Sequence, residues 1–88
     1  MRNAKDSVID GHQVREIFGR LFTFHAQLKF WYNPTGRAVH VYPGDTADGE
    51  HYDPHNWYVV VPDTREFIQL VGADAEERAF SVAAWRIT

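Results

Sequence analysis

The chain contains no cysteine. That absence excludes a disulfide framework, a thiolate zinc site, an iron–sulfur cluster and a thiol nucleophile. Serine is almost as scarce: Ser7 and Ser81 are the only two, and neither lies in a G-x-S-x-G elbow. There is also no P-loop, no dinucleotide glycine fingerprint and no H-E-x-x-H. Long hydrophobic runs are missing too. The longest, Trp57 to Pro62, is far short of a membrane span. No N-terminal basic stretch precedes an apolar run, so no signal peptide is expected. These absences point to a soluble, cytoplasmic, non-enzymatic protein without membrane contact.

What is present suits one compact domain. The 88 residues are 44% hydrophobic and 24% charged, close to an ordinary globular balance. The aromatic share of 15% supplies large buried areas to a chain with no covalent staples. Charge is uneven within the net −3. Residues 1–42 carry six Lys/Arg against three Asp/Glu, and residues 43–88 carry three against nine. An acidic half opposes general nucleic-acid affinity and suits a basic protein partner or a cation.

Local patterns predict one domain over residues 1–88, with residues 1–9 as a flexible leader. Asp10 reads as a helix N-cap, Gln13 as its capping-box partner, and Ile9 with Val14 as a hydrophobic staple. Val14, Ile17, Phe18 and Leu21 then follow at helical spacing, so a helix is expected to about Gly19. From Phe22 to Tyr32 the period is two, which predicts one long strand, with a helix continued through Leu28 as its rival because Leu21, His25 and Leu28 share a helical face. Asn33-Pro34-Thr35-Gly36 predicts a three-residue hairpin loop that places Tyr32 opposite Ala38 and Phe30 opposite His40. Phe22, Phe24, Leu28 and Phe30 would then pack on the helix, with Lys29, Trp31, Val39 and Val41 on the other face.

Residues 43–56 have no apolar period and read as a long acidic loop. Trp57–Val61 and Glu66–Val71 read as strands, the latter against a short helix capped by Asp63 and Glu66. Phe80–Ile87 reads as a final strand, with a helix capped by Asp74 and Glu77 as its rival. The expected architecture is α+β: one N-terminal helix packed on an antiparallel sheet of about four to five strands.

Three functional readings follow. The first is a small protein-binding module of inhibitor or immunity type. Its acidic loop would block a basic surface through Asp45, Asp48, Glu50 and Asp53, with Tyr52 and Trp57 as aromatic anchors. This reading needs no cofactor. The second is a divalent-metal site on His51-x-Asp53-x-His55, because alternate residues of an extended segment share a side and two imidazoles with a carboxylate hold zinc or ferrous iron. A calcium variant would use Asp45, Asp48, Glu50 and Asp53 around Gly49, although the EF-hand spacing is not met. The third is a single-strand nucleic-acid platform on Lys29, Trp31 and Arg37. General acid–base chemistry by His40 with His51 or His55 fits imidazole titration, but His40 reads more simply as a core residue. An exposed edge strand would also allow a homodimer.

Overall fold

The computed structural model describes residues 4–45 and 52–87. They form seven strands and one helix: β1 (Ala4–Ile9), β2 (His12–Ile17), β3 (Arg20–His25), β4 (Phe30–Tyr32), β5 (His40–Asp45), β6 (Tyr52–Val61), β7 (Glu66–Val71) and α1 (Ala75–Ile87). All strands pair antiparallel with their sequence neighbours in a single meander. The class is α+β, but the helix is C-terminal and the sheet is larger than expected.

The N-terminal helix reading fails because two tight turns occupy its span. Asp10-Gly11 and Phe18-Gly19 are two-residue loops with all four φ angles positive, between 48° and 80°. Such turns match the right-handed twist of paired strands, and Asp-Gly is among their preferred sequences. The helical spacing of Val14, Ile17, Phe18 and Leu21 was a coincidence: the first two are buried, whereas Phe18 and Leu21 are exposed. Residues 4–9, expected as a leader, form the edge strand β1.

The long strand expected over 22–32 is two strands joined by a four-residue turn, closed by Lys29 N–H donating to the His25 carbonyl at 2.7 Å. Antiparallel partners share a face, so Phe24 sits beside Trp31 and His25 beside Phe30. The turn therefore reverses the expected facing: Trp31, Val39 and Val41 look toward α1 and Phe30 looks away. The next loop is also longer than expected. Tyr32 pairs with His40 instead of Ala38. The Asn33 side chain bridges this loop, donating to the Thr35 and Arg37 carbonyls and accepting from Val39 N–H at 2.7 Å. A shift of two residues leaves the facing unchanged.

Much of the expected 43–56 loop is strand. Pro43 pairs with Trp57, Asp45 with Tyr52, and the register shifts between Pro43 and Asp45. Gly44 lies at that bulge, where a Cβ would collide with the Asn56 carbonyl. The strands expected near 57–61 and 66–71 are present. The strand expected over 80–87 is instead the second half of α1. Its acidic first turn (Glu76, Glu77) and basic last turn (Arg86) complement the helix dipole.

The core lies between α1 and the concave face of the sheet. Ala75, Ala79, Phe80, Ala83, Ala84 and Ile87 form the buried face of the helix. Four alanines let the helix sit close, and Phe80 fills the centre. Its ring meets Phe22 and Trp31 edge-on at 5.4 Å each and Trp57 at 5.7 Å. The helix touches β2 as well as β5, β6 and β7. A flat sheet from β2 to β7 would span about 24 Å at ~4.8 Å per strand, against ~10 Å for a helix. The sheet must therefore coil around α1.

Arg15 closes the open end of this core. Its guanidinium lies 4.8 Å from the Trp31 ring centre and 4.6 Å from that of Phe80. It also bonds Asp6 at 2.8 Å and Glu76 at 3.0 Å, joining β1 to α1. Burial works against the Arg15 charge, but the hydrogen bonds it donates to both carboxylates, together with their negative charge, outweigh it and raise its pKa. The Arg15 hydrogen bond in turn lowers the Asp6 pKa.

Truncating Phe80 to Ala removes the ring on which three others converge. A loss of about 3–5 kcal/mol is expected from chemical denaturation. Gly44→Ala should also lower stability, because the clash is with backbone, and the shift in unfolding midpoint measures it.

Candidate interaction face

The pleat that sends alternate side chains to α1 sends the others to a face that no described element covers. From β3 to β5 that face carries His25, Phe30, Tyr32, His40 and Tyr42, all partly exposed. β6 and β7 extend it with Tyr58 opposite Tyr42, and Phe67 opposite Val60. The rings form two clusters on adjacent strands. Phe30 stacks on His25 at 5.6 Å and on Tyr42 at 5.2 Å, and lies 5.1 Å from His40. Tyr58 and Phe67 make a second contact at 5.2 Å, with Phe67 65% exposed.

Polar groups described on this face include imidazoles, amides and hydroxyls. Asn56 donates to the Tyr58 hydroxyl at 2.9 Å, and Gln69 donates to the Asn56 side-chain oxygen at 2.9 Å. Along the alternate positions of β4, β6 and β7, and at His40 and Tyr42, no Lys, Arg, Asp or Glu occurs. Ion pairs lie at other positions: Arg37–Asp63 at 3.4 Å and Arg86–Glu66 at 3.1 Å. Burial disfavours the charged form of His40 and lowers its pKa. Its neighbours are Phe30 and Tyr42 rather than a carboxylate, so no catalytic dyad is assembled on it among the described residues.

The anticipated site residues are placed differently from one another. Trp57 belongs to the core at 2% exposure, with its indole N–H donating to the Pro54 carbonyl at 3.2 Å. It offers no surface to a partner. Asp45 and Tyr52 are backbone partners at the end of the β5–β6 ladder, and Asp53 follows in β6. Asp48, Glu50 and His51 lie outside the described residues, as do the side chains of Asp45, Tyr52 and Asp53. The metal reading on His51, Asp53 and His55 and its calcium variant fall there too. His55 itself is exposed, and its carbonyl accepts from Gly72 N–H at 2.9 Å. Among the described residues, no three His, Asp or Glu side chains converge as a metal site.

The trio Lys29, Trp31 and Arg37 does not form a platform. Trp31 faces the helix at 7% exposure, and Arg37 pairs with Asp63. Sequence reasoning missed the real aromatic layer because it placed Phe30 inside. The usable signal was the alternation of Phe30/Tyr32 with His40/Tyr42, once the 26–29 turn is recognised. No described helix is long and apolar enough to cross a membrane. Compared with family models, curated proteins and solved structures, the chain matches none of them.

The sign of the His40 shift gives a pH dependence. The unfolded chain takes up this proton near the ordinary 6.5, the folded chain only at lower pH. Stability from His40 is therefore full above 6.5 and is lost as pH falls through the folded value. Denaturation series across pH 7.5 to 5 should show a flatter acid-side decline for His40→Gln than for the parent chain.

Proposed function

We propose that this chain is a non-catalytic protein-binding module that docks a partner on the open aromatic face. The observation that carries the reading is the ring-covered strip from Phe30 and Tyr32 through Tyr42 and Tyr58 to Phe67, in which none of the described alternate positions carries Lys, Arg, Asp or Glu. Interface centres are depleted in charge and enriched in tyrosine and other aromatics, and an area of this kind loses little hydration on contact. Its residues sit on paired strands, so they meet a partner without a large ordering loss.

The acidic 45–53 segment connects the two strands that bear Tyr42 and Tyr58. Asp45, Asp48, Glu50 and Asp53 give this connecting stretch of the sequence its negative charge. A partner with an apolar patch rimmed by basic residues fits both features, since carboxylates steer the encounter while rings supply the contact. Inhibitory blocking of a basic surface, as in an immunity-type protein, is the corresponding activity. No cofactor is needed for it.

The test is affinity capture from lysate of the native source, with two variants alongside the parent chain. Tyr42→Ser/Tyr58→Ser should weaken a captured complex by about 30-fold or more, the scale of lost central anchors. Asp45→Lys/Asp48→Lys/Glu50→Lys should slow association and reduce its salt dependence. Equal capture by the parent and the tyrosine variant would remove the open face. Saturable binding of a single-stranded homopolymer with a steep salt slope would transfer the rings to base stacking instead.

A further inference from the structure

A second surface, on the helix side of the sheet and away from the aromatic face, combines three unusual features. Phe18 occupies the first position of the β2–β3 turn with φ of 48°. A bulky residue there is strained, and the corresponding position of the β1–β2 turn is filled by Asp10. Folding therefore carries a local penalty that presents a benzyl ring at 55% exposure. Trp85, on the last turns of α1, is 75% exposed, although its neighbours Ala83, Ala84 and Ile87 are buried. Between them lies a cleft of about 300 Å³ lined by Phe18, Arg20, Ala84 and Trp85. Arg20 is exposed and makes no ion pair with a described carboxylate, unlike Arg15, Arg37, Arg78 and Arg86.

Among the described residues, the cleft has two aromatic walls, an alanine wall and one cation. Its volume is at the lower end for ligand sites, enough for one side chain rather than an extended ligand. The carbonyl end of α1 lies nearby but already carries Arg86 in its last turn. Arg20 is then the group that sets the sign of charge a ligand must bring. One residue supplies both an apolar side chain and an adjacent carboxylate when it is the last residue of a chain. Guanidinium–carboxylate pairing is directional and adds specificity to the apolar contact.

We infer that the Phe18–Trp85 cleft receives the C-terminal residue of a partner polypeptide, its apolar side chain between the rings and its carboxylate on Arg20. The site is independent of the aromatic face, so either can fail without the other.

The probe is a synthetic tetrapeptide ending in leucine, as free acid and as C-terminal amide, titrated against the full chain. Trp31 and Trp57 are buried at 7% and 2%, so Trp85 is the exposed fluorophore, and Trp85→Phe checks the assignment. The free acid should produce a saturable emission change that Trp85→Phe abolishes. The amide should bind at least about tenfold more weakly, the scale of a charge-assisted hydrogen bond. In Arg20→Gln the acid and amide should become equivalent, with the circular dichroism unchanged. Equal binding of acid and amide by the parent chain, or no saturable change at millimolar peptide, overturns the proposal. So does concentration-dependent association relieved by Arg20→Gln, because the exposed Ile9-Asp10 tip of a second copy would then be the occupant.

Discussion

Everything in this molecule is arranged around one phenylalanine ring. Phe80 is where rings from β3, β4 and β6 converge, and Arg15 lies across the same cluster with two carboxylates holding it. Aromatic contacts of this kind add to simple burial, and a guanidinium over two rings adds a further electrostatic term. The alanines that flank Phe80 on α1 matter as much, since larger side chains would hold the helix away from the strands. A sheet that must reach one narrow helix from so many strands has to coil, and two-residue turns with positive φ promote that twist.

The open aromatic face follows from the same pleat. Each ring aimed at Phe80 has neighbours in its strand aimed the other way. Trp31 looks inward while Phe30 and Tyr32 look out; Trp57 and Val59 look inward while Tyr58 and Val60 look out. A solvated face in an antiparallel sheet would ordinarily carry charged side chains. Here the alternate positions of β4, β6 and β7 are aromatic, aliphatic or amide. The fold does not require that choice, which is why it supports a recognition role. Five described carboxylates, Asp6, Asp63, Glu66, Asp74 and Glu76, sit beside arginines instead.

The errors of sequence reading have specific causes. Asp10 and Gln13 satisfy the pattern of a helix cap, yet Asp10-Gly11 satisfies that of a hairpin turn, and the second won because paired strands follow it. Alternation through Phe22–Tyr32 predicts one unbroken strand, but Ala26–Lys29 form a turn that no Gly or Pro announces, and those four residues decide whether Phe30 or Trp31 is inside. At the other end, Phe80, Val82 and Ala84 alternate as a strand would, while Ala75, Ala79, Phe80, Ala83 and Ile87 follow the helical repeat that the structure adopts. The acidic segment stands out by composition alone, whereas the residues of the aromatic face are scattered over β3 to β7 and meet only through register.

The sequence by itself determined the α+β class, the strands near 57–61 and 66–71, the cysteine-free chemistry and the uneven charge. Each is a property of composition or of a short window, where local sterics and hydrophobic period act without distant partners. Tertiary structure decided which turns flip side-chain facing, which end carries the helix, and which rings gather inside or outside. Those outcomes depend on pairings between residues far apart in the chain, and one change of parity in one turn moves a whole set of side chains to the opposite face.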